Sequence, residues 1–288
     1  MGRIFGKFRF KFKYFVFAFM FSYVVMCQSC VTMRMSLKET HHYFDPLKVP
    51  FVSKTVLLEN YQMHYIETGD PQKQTLFFIH GSPGSWDAFK SYLTDTLLLR
   101  KYRMIAIDRP GFGNSNFGQA QNLATQAKII EALIDATDNH QPITLVGHSL
   151  GGPLAVKIAT DEPTRIHHLV ILSGAVDPNV ETPELWRPIL ISKPLRYLIP
   201  GALRPSNDEL WWLKADLFKM QPFLKNISCG VTIIHGTKDP LVPYSNVAFM
   251  KREFVNAKAI HVIAIENANH FIPWEHFKLI RDQLFALP

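Results

Sequence analysis

One short segment places a serine between two glycines: Gly147-His148-Ser149-Leu150-Gly151. It follows an apolar, β-branched run typical of a buried strand, Pro142-Ile143-Thr144-Leu145-Val146. Apolar residues at helical spacing then extend from Gly152 to Ala159. On such a sharp strand-to-helix turn the hydroxyl points away from the backbone, and the glycines remove Cβ atoms that would collide. Ser149 is therefore predicted to attack a carbonyl group when a base takes its proton.

Length and composition indicate a globular protein with a sizeable core. The 288 residues suit one large α/β domain with an insertion, or two small domains. Hydrophobic residues make up 47% of the chain and charged residues 19%. Of the formal charge of +7, five units come from basic residues within the first 13 positions, which leaves +2 for the rest. A general nucleic-acid-binding surface is therefore not expected.

The N-terminus has the features of a targeting segment. Its basic opening precedes 13 almost uninterrupted apolar residues, Tyr14 to Met26. This stretch is shorter than the roughly 20 residues that span a bilayer, and it matches the apolar part of a secretory signal. The Ser29-Cys30 pair that follows resembles the lipobox of bacterial lipoproteins, in which the cysteine becomes the acylated mature N-terminus. We predict a leader over residues 1–30 that is lipidated at Cys30, with an uncleaved anchor as the alternative.

A Cys-x-x-Cys redox or metal site at Cys27 and Cys30 is disfavoured, because no folded context for it is visible. Cys229, in the body of the chain, is expected to be a small core residue. No metal-ligand spacing of histidines is found, and we expect neither a metal nor another cofactor.

Apolar runs and helical patterns alternate along the rest of the chain. Residues 31–53 read as a tether, and a hairpin is expected at 55–67. Further strands are predicted at 75–79, 103–107, 143–146, 168–172, 231–234 and 260–265, and helices at about 85–98, 121–137, 150–161, 244–255 and 273–286. This alternation predicts an α/β fold with a mostly parallel sheet and helices on both faces.

The alternation has one gap, at residues 179–222. This segment is rich in Trp, Leu and Pro and has short helical stretches of its own. We expect it to form a lid over the carboxyl ends of the strands, where open α/β sheets bind ligands.

Over residues 54–288 the chain resembles the α/β-hydrolase family. Four motifs in the family's order carry the likeness: His80-Gly81-Ser82-Pro83-Gly84-Ser85, Asp108-Arg109-Pro110-Gly111-Phe112-Gly113-Asn114-Ser115, the Ser149 elbow, and the segments around Asp239 and His270. The resemblance implies the α/β-hydrolase fold with a short helical lid insertion. It also implies a Ser-His-Asp triad.

His270 is the expected base. It lies in the loop between the last predicted strand and the last helix, on the same side of the sheet as the elbow, and it matches the family's catalytic histidine. Asp239 follows the preceding strand and is the predicted acid, which would hold the tautomer of His270 and stabilise its imidazolium form. Asp177, one strand earlier, is the alternative acid. His148 is expected to face away from the serine.

Two backbone amides are expected to form an oxyanion hole. One is that of Leu150, at the start of the helix after the elbow. The other is that of Ser82, because the neighbouring Pro83 has no N–H, and this position also matches the family's oxyanion residue. Asp108 and Arg109 are expected to organise their own loop.

The implied activity is that of a serine hydrolase that cleaves an ester, as carboxylesterases and lipases do, through an acyl-enzyme. Amide cleavage like that of proline iminopeptidases and C–C bond hydrolysis use the same triad and stay open. A serine at the elbow argues against the haloalkane dehalogenase and epoxide hydrolase branches, whose nucleophile is aspartate. A non-catalytic binding protein that retains the fold is the alternative of another class.

The expected partners are a small apolar ester or related acyl substrate and, through the N-terminal segment, a membrane. This segment would place the hydrolase domain in the cell envelope, outside the cytoplasm. The sequence does not determine the oligomeric state.

Overall fold

Eight strands form a single sheet in the computed structural model, which describes residues 12–29, 31–58 and 60–288. The strands are β1 (Phe51–Leu58), β2 (Tyr61–Gly69), β3 (Gln74–Ile79), β4 (Tyr102–Ile107), β5 (Ile143–His148), β6 (Ile166–Leu172), β7 (Gly230–Gly236) and β8 (Ala259–Ile265). Their order is β1-β2-β4-β3-β5-β6-β7-β8. The pairs β1–β2 and β2–β4 are antiparallel, and the remaining neighbours are parallel.

The α-helices of the described residues are α1 (Phe12–Ser29), α2 (Leu37–Phe44), α3 (Lys90–Leu93), α4 (Thr96–Lys101), α5 (Leu123–Ala136), α6 (Gly151–Asp161), α7 (Arg187–Ile191), α8 (Leu203–Met220), α9 (Ser245–Glu253), α10 (Ile272–Glu275) and α11 (Phe277–Ala286). They cover both faces of the sheet. Successive strand residues point to opposite sides, so apolar side chains on each face form a buried cluster of their own. Phe77 and Leu145 belong to one buried cluster, whereas Phe78 and Val146 belong to the other. The predicted α/β fold with a mostly parallel sheet is confirmed.

The strand order reverses between β3 and β5, and this reversal positions the loops that follow them. From β3 the chain continues to β4 on one side and later returns as β5 on the other. The last residue of β3, Ile79, is paired with Gly147 of β5. The loops after the two strands therefore leave the sheet side by side, at the kind of crevice where open α/β sheets bind ligands.

Residues 31–53 are more ordered than the tether predicted from the sequence. Ser36 and Glu39 form a capping box that starts α2, in which the Glu39 carboxylate accepts the Ser36 amide at 2.7 Å. The buried Phe44 ring at the end of α2 stacks on Phe51 of β1, with ring centroids 4.6 Å apart. Local capping and one anchoring aromatic residue thus pack this segment onto the domain.

The predicted lid segment, 179–222, contains α7 and α8. Its two halves differ in burial. Leu185, before α7, and Ile189, within α7, are exposed. Leu213 and Leu217 of α8 instead belong to the main buried cluster. The α8 half is therefore built into the core of the domain.

Helix α1 contacts the lid segment through its C-terminal turns. The Tyr23 hydroxyl donates to the carbonyl of Leu198 at 3.2 Å, and the Gly201 amide donates to the carbonyl of Cys27 at 2.9 Å. No helix among the described residues has both the length and the hydropathy needed to cross a membrane. Cys30, the predicted lipidation site, lies outside the described residues.

Gly151, the first residue of α6, permits a close backbone approach to the end of β3. A Cβ atom there would stand 2.1 Å from the carbonyl oxygen of Ile79. We expect Gly151→Ala to lower the free energy of unfolding by about 3 kcal/mol or more, because two backbone segments would have to separate. Gly118→Ala is the matched control: its φ is +84° but nothing lies within 4 Å, so the loss should be about 1 kcal/mol. Urea denaturation measures both, and equal losses would contradict the packing explanation.

Candidate active site

Ser149 occupies a strained turn between β5 and α6. Its φ is +54°, a left-handed conformation that non-glycine residues rarely adopt. Its amide donates to the carbonyl of Leu172 at 3.0 Å, which ties the turn to the neighbouring strand. Among the described residues, the Ser149 hydroxyl is engaged in no hydrogen bond, and the side chain is only partly buried. The serine is thus held rigidly by its backbone while its hydroxyl stays available.

His270 and Asp239 form a buried, hydrogen-bonded pair. The Nδ1 atom of His270 lies 2.7 Å from Oδ2 of Asp239. Because a carboxylate only accepts, Nδ1 donates, and Nε2 of the neutral ring keeps its lone pair. The amides of Leu241 and Val242 donate to the other carboxylate oxygen at 2.9 and 2.8 Å. Burial acts to raise the pKa of Asp239, but these hydrogen bonds outweigh it and hold the pKa below its ordinary value.

The loops that carry this pair follow the adjacent strands β7 and β8. A Cβ atom on Gly236, at the end of β7, would stand 2.4 Å from the carbonyl oxygen of Ala268. The same carbonyl accepts the Lys238 amide at 3.0 Å. The alternative acid, Asp177, instead accepts the amide of Asn179 at 2.9 Å in its own turn. The structure therefore brings Asp239, and not Asp177, to His270.

His148 also contacts His270, although the sequence suggested no role for it. Its Nε2 donates to the backbone carbonyl of His270 at 3.1 Å, and the two ring centroids lie 4.9 Å apart. Burial, with a smaller contribution from His270, lowers the pKa of His148 to about 3. A neutral imidazole thus supports the backbone of the predicted base. The one sequence signal that could have pointed to this contact is that His148 directly precedes Ser149.

The two predicted oxyanion donors are both available. Neither the Ser82 amide nor the Leu150 amide donates a hydrogen bond within the part of the chain that the structure describes. A Cβ atom on Gly81 would stand 2.9 Å from Cβ of Ser149, so the loop after β3 lies directly against the serine. Leu150 immediately precedes α6, whose positive dipole end favours an anion. The arrangement can receive negative charge that develops beside the Ser149 hydroxyl.

A second Ser-His-Asp set lies elsewhere on the sheet. The Ser53 hydroxyl is 3.0 Å from Nε2 of His64, and Nδ1 of His64 is 2.8 Å from the carboxylate of Asp108. Ser53, however, lies in the regular strand β1 and not on a strained turn before a helix. Asp108 also accepts the amide of Trp86, in the loop after β3, and the amide of Asn114, in its own loop. Residue type and contact alone do not make this set a reaction centre.

Metal-binding clusters are not found in the described residues, where no three His, Cys, Asp or Glu side chains could together hold an ion.

The buried histidines at this edge predict a loss of stability in acid. Burial lowers the pKa of His148 to about 3 and also lowers the pKa values of His80 and His235. In the unfolded chain these rings take up protons near pH 6.5, so below that pH the unfolded state binds more protons than the folded state. The free energy of unfolding should therefore fall as the pH drops below about 6.5, by up to about 1.4 kcal/mol per pH unit for each such histidine.

His148→Gln tests this assignment, since a glutamine amide can still donate to the His270 carbonyl. We expect the slope of unfolding free energy against pH to decrease by up to about 1.4 kcal/mol per pH unit in the variant. Urea titrations between about pH 7 and pH 5 measure this slope. An unchanged slope would show that His148 takes up its proton without unfolding.

Comparison with known proteins relates this chain to hydrolases. Residues 74–198 match the family model described as alpha/beta hydrolase fold. Over 120 residues the chain is 35% identical to the 2-hydroxy-6-oxononadienedioate/2-hydroxy-6-oxononatrienedioate hydrolase of Paraburkholderia phymatum. The matched segment makes up 39% of this chain and 40% of that protein. Over 188 residues it is 28% identical to epoxide hydrolase 3 of Xenopus tropicalis, which covers 59% and 48% of the two chains.

The chain thus spans less than half the length of these curated relatives. The solved structure of an esterase from Exiguobacterium antarcticum superposes with a TM-score of 0.66 at 19% identity, over 82% of this chain and 98% of that one. The chain has the α/β-hydrolase fold, and its relatives are named hydrolases that act on different kinds of bond.

Proposed function

We propose that this protein is a serine hydrolase that cleaves a carboxylic ester through an acyl-enzyme. Ser149 is the nucleophile, His270 is the general base and acid, and Asp239 orients the histidine. The amides of Ser82 and Leu150 form the oxyanion hole. The 2.7 Å contact between His270 and Asp239, at the sheet edge that carries the strained Ser149 turn, is the observation that carries this proposal.

The proposed reaction uses each group at a defined step. The Ser149 hydroxyl attacks the ester carbonyl and transfers its proton to Nε2 of His270. The carbonyl oxygen takes up the negative charge and accepts hydrogen bonds from the amides of Ser82 and Leu150. Collapse of this intermediate expels the alcohol, which takes the proton from His270. Water then attacks the acyl-enzyme with His270 again as base, and the carboxylic acid and free Ser149 result.

The rim of the site favours an apolar substrate. Phe271 directly follows the proposed base, and Leu241 lies two residues after Asp239. Both side chains are exposed, as is Trp274, whose ring also contacts His148 at 5.3 Å between centroids. Exposed aromatic and aliphatic side chains at a site mark a surface for apolar ligands. They suit an apolar acyl group better than the dianionic compound named for the Paraburkholderia phymatum relative.

Epoxide hydrolysis suits this chain less well than cleavage of an ester, an amide or a C–C bond. The expected nucleophile of that branch is aspartate, and Ser149 occupies the elbow here. C–C bond hydrolysis and amide cleavage would use the same three side chains, so substrate tests must separate them from ester cleavage.

Covalent labelling tests the nucleophile. A fluorophosphonate probe should label the wild-type protein, and Ser149→Ala should abolish the labelling, because the phosphonyl group needs an activated serine beside oxyanion donors. Ser53→Ala is the matched control, since it removes the serine of the second Ser-His-Asp set; its labelling should equal that of the wild type. No labelling of the wild type would refute the hydrolase and favour a non-catalytic binding protein.

The bond that is cleaved is tested on the same purified protein. We expect activity on p-nitrophenyl esters, increasing from acetyl to medium acyl chains, because the rim is apolar. An aminoacyl p-nitroanilide and a 2-hydroxy-6-oxo-dienoate serve as the amide and C–C alternatives. A kcat/KM higher for either of these than for every ester would overturn the ester assignment and retain the nucleophile.

We further infer that the N-terminal segment holds the protein at a membrane, in the cell envelope and with the hydrolase domain outside the cytoplasm. Helix α1 supports this inference because its apolar side chains are exposed on all sides; Phe12, Phe17 and Phe21 are examples. A helix that is apolar all round requires a surrounding apolar phase. The basic residues that precede it would meet anionic headgroups.

The contacts of α1 bear on how the segment is processed. Cleavage before Cys30 would remove the hydrogen bonds from Tyr23 to Leu198 and from Gln28 to Tyr197. The lid segment would lose these partners. The contacts therefore favour a retained helix over a lipidated Cys30.

Fractionation and mass measurement test the membrane inference. We expect the protein in the membrane fraction, with an intact mass that includes α1. A membrane-bound species that begins at an acylated Cys30 would contradict the retained helix and show that the protein is processed as a lipoprotein. Recovery of the full-length protein in the soluble fraction would contradict membrane attachment.

A further inference from the structure

Arg109 is a fully buried cation that connects the lid segment to the loop carrying Ser82. Its guanidinium faces the carboxylate of Glu209 on α8, with Nη1–Oε2 and Nη2–Oε1 distances of 2.9 Å each. Gln126 completes the set: its side-chain oxygen accepts from Arg109 at 2.7 Å and its nitrogen donates to Glu209 at 2.8 Å. This planar, bidentate pairing leaves the guanidinium little freedom to move.

The same guanidinium holds one backbone carbonyl beside the serine. Nη2 of Arg109 donates to the carbonyl of Gly81 at 3.0 Å, and Nδ1 of His80 donates to the same oxygen at 2.7 Å. The C=O of Gly81 and the N–H of Ser82 belong to one planar peptide unit. Fixing the carbonyl therefore fixes the direction of the Ser82 amide, which is a proposed oxyanion donor.

Helix α8 holds the loop at a second point. The Ser82 hydroxyl donates to the hydroxyl of Ser206 at 2.8 Å. Ser206 and Glu209 are three residues apart on α8 and so share one face of the helix. The helix, the guanidinium and the loop are thus linked through polar contacts that are buried or part-buried.

We propose that Arg109, held by Glu209, is a positioning residue that aims the Ser82 amide at the developing oxyanion. The proposal rests on the serine-hydrolase function proposed above. Stability alone does not require this ion pair, because buried Arg–Glu pairs are often replaced by apolar side chains without loss. The Gly81 carbonyl accepts from both His80 and Arg109, and of these two donors the guanidinium is the one paired with Glu209 of α8.

A double substitution separates the two roles. Arg109→Met with Glu209→Met removes the donor and leaves no unpaired buried charge, so the protein should fold. We expect kcat for a p-nitrophenyl ester to fall about 10-fold or more, with KM within about twofold; loss of a complete donor costs about 10²–10³-fold. The inhibition constant of a boronic acid that binds the serine should rise by the factor by which kcat/KM falls.

A matched control uses a second, part-buried Arg–Glu pair. Arg103, near the start of β4, contacts Glu67 at 2.7 and 3.0 Å, at the end of the sheet away from Ser149. Arg103→Met with Glu67→Met should leave kcat and the boronic acid constant within about twofold of the wild type, because it leaves the Gly81 carbonyl untouched. An equal loss in both double variants would overturn the proposal in favour of a general stability effect.

A readout independent of catalysis distinguishes this proposal from the proposed function. The ¹⁵N order parameter of the Ser82 amide should fall in the Arg109/Glu209 double variant and stay at the wild-type value in the control. An unchanged order parameter would refute positioning by Arg109. A wild type that cleaves no ester and takes no probe would refute the serine hydrolase alone, and the order parameters would still decide the role of Arg109.

Discussion

The close crossing of β5 and α6 at Ser149 is the constraint on which the site depends. Cβ atoms on Gly147 and Gly151 would meet backbone oxygens at 2.2 and 2.1 Å. Only glycines allow strand, turn and helix to pass at this distance, and the turn then forces Ser149 to a φ of +54°. Strain of this kind, of the order of 1–3 kcal/mol, persists because the surrounding packing leaves no alternative. The loop after β3 can therefore lie directly against the serine.

Burial then sets the charge of each group around that turn. Asp239 stays ionised because His270 and two amides compensate its charge, whereas burial keeps His148 and His80 neutral. Neutral neighbours add no positive charge that would oppose an imidazolium at His270. Arg109 is a buried charge as well, but its carboxylate partner lies on α8, so the lid segment contributes to the electrostatics of the site.

The two Ser-His-Asp sets show what backbone geometry adds to residue type. The Ser53 hydroxyl contacts its histidine, which contacts a carboxylate, whereas the Ser149 hydroxyl makes no hydrogen bond to any described residue. Ser53 lies in an extended edge strand, however, while Ser149 precedes a helix and adjoins two unengaged amides. A nucleophile needs a place for the negative charge of its reaction, and the turn at the switch of strand order supplies it.

The sequence by itself determined the sheet, its flanking helices and the candidate residues at the strand ends, because hydrophobic periodicity and glycine spacing are local signals. It pointed to Asp239 and His270 through the loops after the last two strands, and the structure brings them together. Only the tertiary structure decided that α2 packs on the domain, that His148 supports His270, and that Glu209 meets Arg109. The last two are contacts across 122 and 100 residues of chain, which no local pattern encodes.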